Sequence, residues 1–215
     1  MNCDKKMMRL YAVTDRAWTG KMSLYEQVEA ALQGGATCVQ LREKHLDRET
    51  FLAEAKALVR LCHRYSVPFI VNDEVDIAVE CGADGVHVGQ EDMRAADVRE
   101  QVGPNMMIGV SAHTVEEALE AVKNGADYLG VGAVFSTSTK TDVSVLPMET
   151  LQAICRAVKV PVVAIGGISE KNVMQLAGSG VDGIAVVSAI FAAEDPKAAA
   201  RRLRELSDKM VLGNE

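Results

Sequence analysis

Residues 39–44 read VQLREK, and in an extended chain Gln40, Arg42 and Lys44 share one face while Leu41 and Glu43 share the other. Two cations and an amide on one strand face are costly to bury unless an anion meets them, which is chemistry for a phosphorylated ligand. The other reading is a strand end in water, its charges paired with one another and Glu43 serving a neighbouring cation. Asp73, in FIVNDEVD, and Asp92, in HVGQEDM, each closely follow an apolar run, with no thiol or imidazole immediately beside them. A pair of hard oxygen ligands suits Mg2+, which keeps much of its water and bridges to substrate phosphates. Each aspartate alone would equally serve as a helix N-cap. Asn72 adds an amide beside this pair, and Ser111 a hydroxyl at the end of MIGVSA.

Two further segments carry donors. Residues 134–143, VFSTSTKTDV, gather the hydroxyls of Ser136, Thr137, Ser138, Thr139 and Thr141 around Lys140. Hydroxyls and backbone amides can hold one phosphate while the lysine reaches another as a point charge; composition alone also permits a polar mobile loop. Gly166 and Gly167 precede a helix expected to open at Ser169, and Val187 and Ser188 end another apolar run. Glycine lets a ligand approach the backbone N–H groups, although a plain tight turn uses the same residues. His87, between valines, reads as a hydrogen-bonded interior residue and not as a ligand.

The elements that must position these groups alternate along the chain. Strand candidates are LYAVTD, CVQLREK, PFIVND, GVHVG, MIGVSA, YLGVGAVF, VPVVAIGG and GIAVVSA, and amphipathic helical patterns separate them. A final helix is expected near 195–211, with Pro196 in its first turn. GGATCV, GADGVHV, GADYLGV and GVDGIAV form a weak repeat, each closing a helix with glycine and starting a strand. This regularity argues for an α/β fold, a single-domain (β/α)8 TIM barrel over residues 1–215, with 1–8 as an N-terminal lead and 195–212 as the final helix. A doubly wound sheet is less well supported, because no G-x-G-x-x-G follows the first strand. In a barrel every polar group named above gathers at the C-terminal strand ends, where barrel enzymes place their active sites. The opposite ends, rich in Gly, Ala, Pro and Val, read as turns.

The chain has 215 residues, a formal net charge of -7 and 4% aromatics, so neither a basic track for nucleic acid nor a stacking platform is expected. No apolar run is long enough for a membrane span. Five scattered cysteines without a C-x-x-C pair favour a reducing cytoplasm and buried apolar roles.

YAVTDR, QLREK, VND, ADGVHVGQED, IGVSAHT, GAVFSTSTK and VAIGGI occur in this order, and on them the chain resembles the thiamine phosphate synthase family from about Leu10 to Phe191. The resemblance implies a transferase of thiamine biosynthesis that joins a hydroxymethylpyrimidine diphosphate to a hydroxyethylthiazole phosphate, releasing diphosphate with Mg2+ present. Its partners would be those two small phosphorylated molecules. Carried over by motif, Gln40, Leu41, Arg42, Glu43, Lys44, Asn72, Ser111 and Lys140 would bind the pyrimidine diphosphate. Asp73 and Asp92 would hold Mg2+, and Thr137, Ser138, Thr139, Gly167, Val187 and Ser188 would contact the thiazole phosphate. No residue is implied as a general acid or base. Ser136 stands where the family usually has proline, which bears on the stiffness of that loop, and Ala112 departs from a commoner serine–threonine pairing. The related thiazole tautomerase, a sugar-phosphate isomerase or epimerase, and a non-catalytic pathway sensor fit the donor set less well.

Overall fold

The computed structural model describes residues 3–89, 95–136 and 145–213. Eight parallel strands close into a barrel in chain order: β1 (Leu10–Val13), β2 (Cys38–Leu41), β3 (Phe69–Asn72), β4 (Gly85–Val88), β5 (Met107–Ala112), β6 (Tyr128–Gly132), β7 (Val162–Ile165) and β8 (Gly183–Val186). Around it lie α1 (Leu24–Gln33), α2 (Arg48–Arg64), α3 (Val75–Cys81), α4 (Ala95–Val102), α5 (Val115–Lys123), α6 (Met148–Ala157), α7 (Ser188–Phe191) and α8 (Pro196–Leu212). All the strands expected from β-branched runs form.

The helices start where side chains satisfy their first amides. Ser23 and Glu26 form a reciprocal capping box on α1, and Asp47 and Thr114 cap α2 and α5. In α2, Phe51, Ala55, Leu58, Val59 and Cys62 recur at helical spacing and are buried against the barrel. The segment after β7 differs from the helix expected at Ser169. Asn172 accepts from Ser169 N at 2.8 Å and donates to Gly167 O at 2.9 Å, so its amide closes a local turn. Only a short 3-10 turn, Val173–Leu176, follows.

Two apolar layers result. The outer one packs strands against helices and includes Leu41, Val71, Val86 and Leu129. The inner one fills the barrel with Met8, Tyr11, Val13, Cys38, Ile70, Met107, Tyr128, Val163 and Ala185. The N-terminal lead belongs to this inner layer: its 3-10 turn, Lys5–Met8, inserts Met8 beneath the strands, fully buried.

The N-terminal strand ends are more than turns. Thr37 Oγ1 accepts from Leu10 N, Asp84 from Phe69 N, Asp127 from Ile108 N and Asp182 from Val162 N, all within 2.8–3.0 Å. In return the backbone N–H of each of those four residues donates to the carbonyl of the strand residue it caps. Each odd strand is thereby locked to the even strand that follows, and the repeat seen in the sequence acquires a physical cause. Between these pairs, Val39 N donates to Pro68 O and Leu129 N to Pro161 O, and Ile184 N makes the matching bond to Arg9 O where β8 meets β1.

Candidate active site

A cavity of about 160 Å³ opens at the C-terminal strand ends. Gln40 and Arg42 of the first motif line it, with Asn72, Ser111, Gly167, Val187 and Ser188. Strand alternation accounts for the first two. Leu41, one residue away, turns its fully buried side chain into the outer layer, which leaves only its backbone near the cavity end. The turn after β2 is held by Thr14, whose Oγ1 accepts from Arg42 N at 3.0 Å. Arg42 lines the cavity and makes no ion pair among the described residues. Glu43 behaves otherwise: it is 9% exposed and receives Arg16 Nε at 3.1 and 3.2 Å and Arg16 Nη2 at 2.8 Å. It is the structural partner for a neighbouring cation, one of the two roles its position allowed. Arg16 also pairs with Glu54, whose carboxyl is raised by burial, an effect partly offset by the same guanidinium.

Lys44 Nζ lies 2.5 Å from Asp73 Oδ2 at the adjoining end of β3. Asp73 sits in the left-handed region at φ 63, and its N–H donates to His87 O at 2.8 Å. That bond to the next strand fixes a conformation aspartate tolerates better than most residues. The carboxylate is thereby aimed past the strand end and does not cap α3, on which Glu74 occupies the N-cap position without a side-chain bond. Among the described residues no three His, Cys, Asp or Glu side chains cluster as a metal site. Asp92, Thr137, Ser138, Thr139 and Lys140 lie outside the described residues.

Across the cavity, Gly166 and Gly167 take φ values of 100 and 64. A Cβ on Gly167 would stand 2.3 Å from Ser136 O and 2.8 Å from Phe135 O, so glycine lets the β6 and β7 loops touch. Val187 and Ser188 border the same wall from β8.

The floor holds groups that the motif reading passed over. Gln40 Nε2 donates to Tyr11 Oη at 2.9 Å, and Tyr11 Oη lies 2.8 Å from Tyr128 Oη. Tyr128 Oη lies 3.1 Å from His87 Nδ1, and His87 Nε2 lies 3.1 Å from Ser111 Oγ. Burial pushes both phenols well above their usual value of 10.0, so they stay neutral. His87 is thus the hydrogen-bonded interior residue its flanking valines suggested. Tyr11 precedes Val13 and Tyr128 precedes Gly130 by one strand repeat, so alternation alone places them inward, but an apolar strand gives a phenol no distinguishing mark. His113, two residues beyond Ser111, also lines the cavity, with Nδ1 3.2 Å from Glu117 Oε2. Thiol chemistry has no support: burial raises Cys3, Cys62 and Cys155 to about 12, and none of the five cysteines is bonded to another.

No helix among the described residues is long and apolar enough to cross a membrane. Comparison with known proteins gives the arrangement a context. A family model described as Thiamine monophosphate synthase matches residues 10–190. Thiamine-phosphate synthase of Ruminiclostridium cellulolyticum is 51% identical over 197 residues, spanning 92% of this chain and 94% of the relative. The protein of the same name from Chloroflexus aurantiacus is 51% identical over 199 residues, 92% of either chain. Among solved structures, thiamine phosphate pyrophosphorylase from Pyrococcus furiosus superposes with a TM-score of 0.89 at 42% identity, covering 96% of this chain and 98% of the other. A closed parallel barrel, a cavity lined by the motif residues and these matches together make this chain a member of the thiamine monophosphate synthase family.

Proposed function

We propose that this protein is a thiamine-phosphate synthase: it condenses 4-amino-2-methyl-5-(diphosphooxymethyl)pyrimidine with 4-methyl-5-(2-phosphooxyethyl)thiazole to give thiamine phosphate and diphosphate. The observation that carries the reading is one cavity with two separate anion-suited walls. Arg42 lines the cavity from the β2 end, with the Lys44–Asp73 pair beyond its lining, and Gly167, Val187 and Ser188 line it at the β7 and β8 ends. Two phosphorylated substrates held side by side need that division.

On the first wall, Gln40, the Leu41 backbone, Arg42, Lys44, Asn72 and Ser111 bind the pyrimidine diphosphate, Glu43 holds Arg16, and Lys140 adds a charge. On the second, Gly167, Val187 and Ser188, with Thr137, Ser138 and Thr139, bind the thiazole phosphate. Asp73 and Asp92 hold Mg2+. Asp73 fits that role chemically, since its carboxylate is a hard oxygen donor projecting beyond a strand end and partly open to solvent. Held there, Mg2+ would supply positive charge to offset the negative charge of the departing diphosphate.

The bond from the pyrimidine methylene carbon to the diphosphate oxygen breaks, and its electron pair leaves with the diphosphate. The aminopyrimidine ring stabilises the resulting benzylic-type cation, and the thiazole nitrogen supplies the pair for the new carbon–nitrogen bond. This step asks for charge stabilisation and alignment, more than a base. The surroundings suit it: Arg42 and Lys44 meet the leaving group, and the inner barrel below excludes water. The test is a coupling assay on purified protein with both substrates, Mg2+ present or chelated. Metal-dependent thiamine phosphate is expected. No product from folded, metal-replete protein would refute the assignment in favour of the tautomerase or a sensor.

A further inference from the structure

We propose that Gly130 and Ala185 shape a recess that takes the 2-methyl group of the pyrimidine diphosphate and sets selectivity at that ring position. The inference rests on the synthase reading and deepens it. Both residues line the cavity, and both have almost no side chain. Their place in the barrel makes that smallness consequential.

In an eight-stranded barrel alternate strands send their inward residues into common layers of four, and bulky branched side chains ordinarily fill them. Register identifies one such layer. From Gln40 it runs across Ile70 to Gly85, and His87 stands two residues further along that strand, at the height of Gln40 on the tilted ring. The same step leads from His87 to Gly130, from Gly130 to Ala185, and from Ala185 back to Gln40. Two members of this layer are large and polar, on β2 and β4, and two are minimal, on β6 and β8. Glycines in the layers below are compensated. A Cβ on Gly109 would fall on the Tyr128 ring, on Gly85 against Ile70 and Met107, and on Gly183 against the Met8 backbone. Gly130 differs. Apart from its chain neighbours, a Cβ there would meet among the described residues only His87, 3.1 Å from Cε1 and 3.5 Å from Nε2. Space that a barrel usually fills with side chains is here left to the cavity.

The geometry of the substrate selects what enters it. On a six-membered ring positions 2 and 5 lie opposite each other, so the methylene diphosphate at position 5 and the methyl at position 2 point in opposite directions. Arg42 stands two residues beyond Gln40, toward the mouth, and a diphosphate held there aims the methyl down at the layer of Gln40, His87, Gly130 and Ala185. Gln40 and His87 occupy the polar half of that layer. The methyl goes to the other half, above Val163, which is buried in the layer below. A hydrocarbon group there leaves no polar atom unpaired, and one such group in an apolar pocket ordinarily changes selectivity by about tenfold or more.

The test is steady-state coupling of the thiazole phosphate to the 2-methyl pyrimidine diphosphate and to its analogue with hydrogen at position 2. The wild-type protein is expected to prefer the methyl substrate about tenfold in kcat/KM. Gly130 has a φ outside the left-handed region, so Gly130→Ala brings no backbone strain and narrows the recess by one methyl. It should cut kcat/KM for the methyl substrate by about tenfold or more and hold the hydrogen analogue within about threefold, with KM for the thiazole phosphate within about twofold. Ala185→Val narrows the recess from β8, across the layer from His87, and should show the same selective loss. Selective loss in either folded variant supports the recess. A wild-type protein indifferent to the methyl, or equal losses for both pyrimidines in both variants, would overturn it with the synthase reading intact. Product from neither pyrimidine with the wild-type protein would overturn both. Should one variant fold poorly, the other variant and the wild-type comparison decide.

Discussion

Lys44 Nζ and Asp73 Oδ2 meet at 2.5 Å across the ends of β2 and β3, so the lysine proposed to meet the diphosphate and the carboxylate proposed to hold Mg2+ neutralise each other. On the proposed roles, binding would separate them together, the lysine turning to the diphosphate and the aspartate to the cation. Lys44→Ala therefore has two effects of opposite sign. It frees Asp73, so Mg2+ binding to the substrate-free protein tightens by about threefold, a modest gain because the pair is partly exposed. It also removes a charge from the leaving group, so kcat/KM for the pyrimidine diphosphate falls by about a hundredfold. Calorimetric titration with Mg2+ and steady-state kinetics on one preparation read both, and metal binding weakened by the substitution would contradict the exchange.

Arg42 is the complementary case, a cation at the cavity without an ion pair among the described residues. Removing it exposes no buried carboxylate. Arg42→Ala is expected to lower kcat/KM by about a hundredfold, near 3 kcal/mol of transition-state stabilisation, with unfolding unchanged. Arg42→Lys keeps the charge but loses the planar fork, and should recover only part of the activity. Full activity in the lysine variant would show that charge alone suffices.

Gly167 tests the other wall. The side chain of Gly167→Ala would collide with the carbonyls of Phe135 and Ser136 at a φ of 64, so the β6 loop must shift. KM for the thiazole phosphate should rise by about tenfold or more, with a smaller change for the pyrimidine diphosphate and a stability loss of about 1–2 kcal/mol. Equal changes for both substrates would argue against two separate walls.

Arg99 lies at the far end of the barrel. It donates to Gly103 O, Met106 O, Gly125 O and Asp127 Oδ2, tying α4 to the starts of β5 and β6. Arg99→Ala is expected to cost about 2–3 kcal/mol in urea unfolding and leave kcat within about twofold. A large loss of kcat in a folded variant would refute the division between a stabilising end and a catalytic end.

Acid should weaken the fold through its helix caps. Bonds from Ser23 hold Glu26 below its usual 4.5, and bonds from Thr50 hold Asp47 below 3.8. Both carboxylates release protons more readily folded than unfolded. Their contribution is whole above those unfolded values and is lost as pH falls through them toward the lowered folded values. The urea midpoint should drop between about pH 5 and pH 3, less steeply in a Ser23→Ala/Asp47→Asn double variant. Parallel slopes would show that other groups set the acid limb.

What the sequence made legible follows from what alternation and punctuation encode. The strands stood out because each is a short β-branched run between turn residues, and VQLREK announced its faces because charge alternates with apolar character. The carboxylates of Asp84, Asp127 and Asp182 were harder to read: GAD and GVD look like helix exits, and the strand amides that these side chains satisfy lie 15 to 20 residues away in the chain. The failed helix after β7 had a local cause, since Asn172 spends its amide on Gly167 and Ser169, and a single amide in a polar turn carries no mark of which bonds it will make. Tyr11 and Tyr128 look like ordinary core aromatics until the barrel closes and brings together phenols 117 positions apart. Pairwise contacts across a ring have no local signature.

The locks at the N-terminal strand ends also bear on how the chain could be rearranged. Each quarter of the ring holds its own two strands together, and the Ile184-to-Arg9 bond at the gap between the last and first quarters matches bonds at two of the covalently linked joints. The final helix α8 meets the segment leading into β1 there, with Ser207 Oγ donating to Arg9 O at 2.5 Å. The ring has no structurally privileged starting quarter. A gene opened between two other quarters, with a short linker across the present gap, would encode a circular permutant of the same barrel and the same cavity.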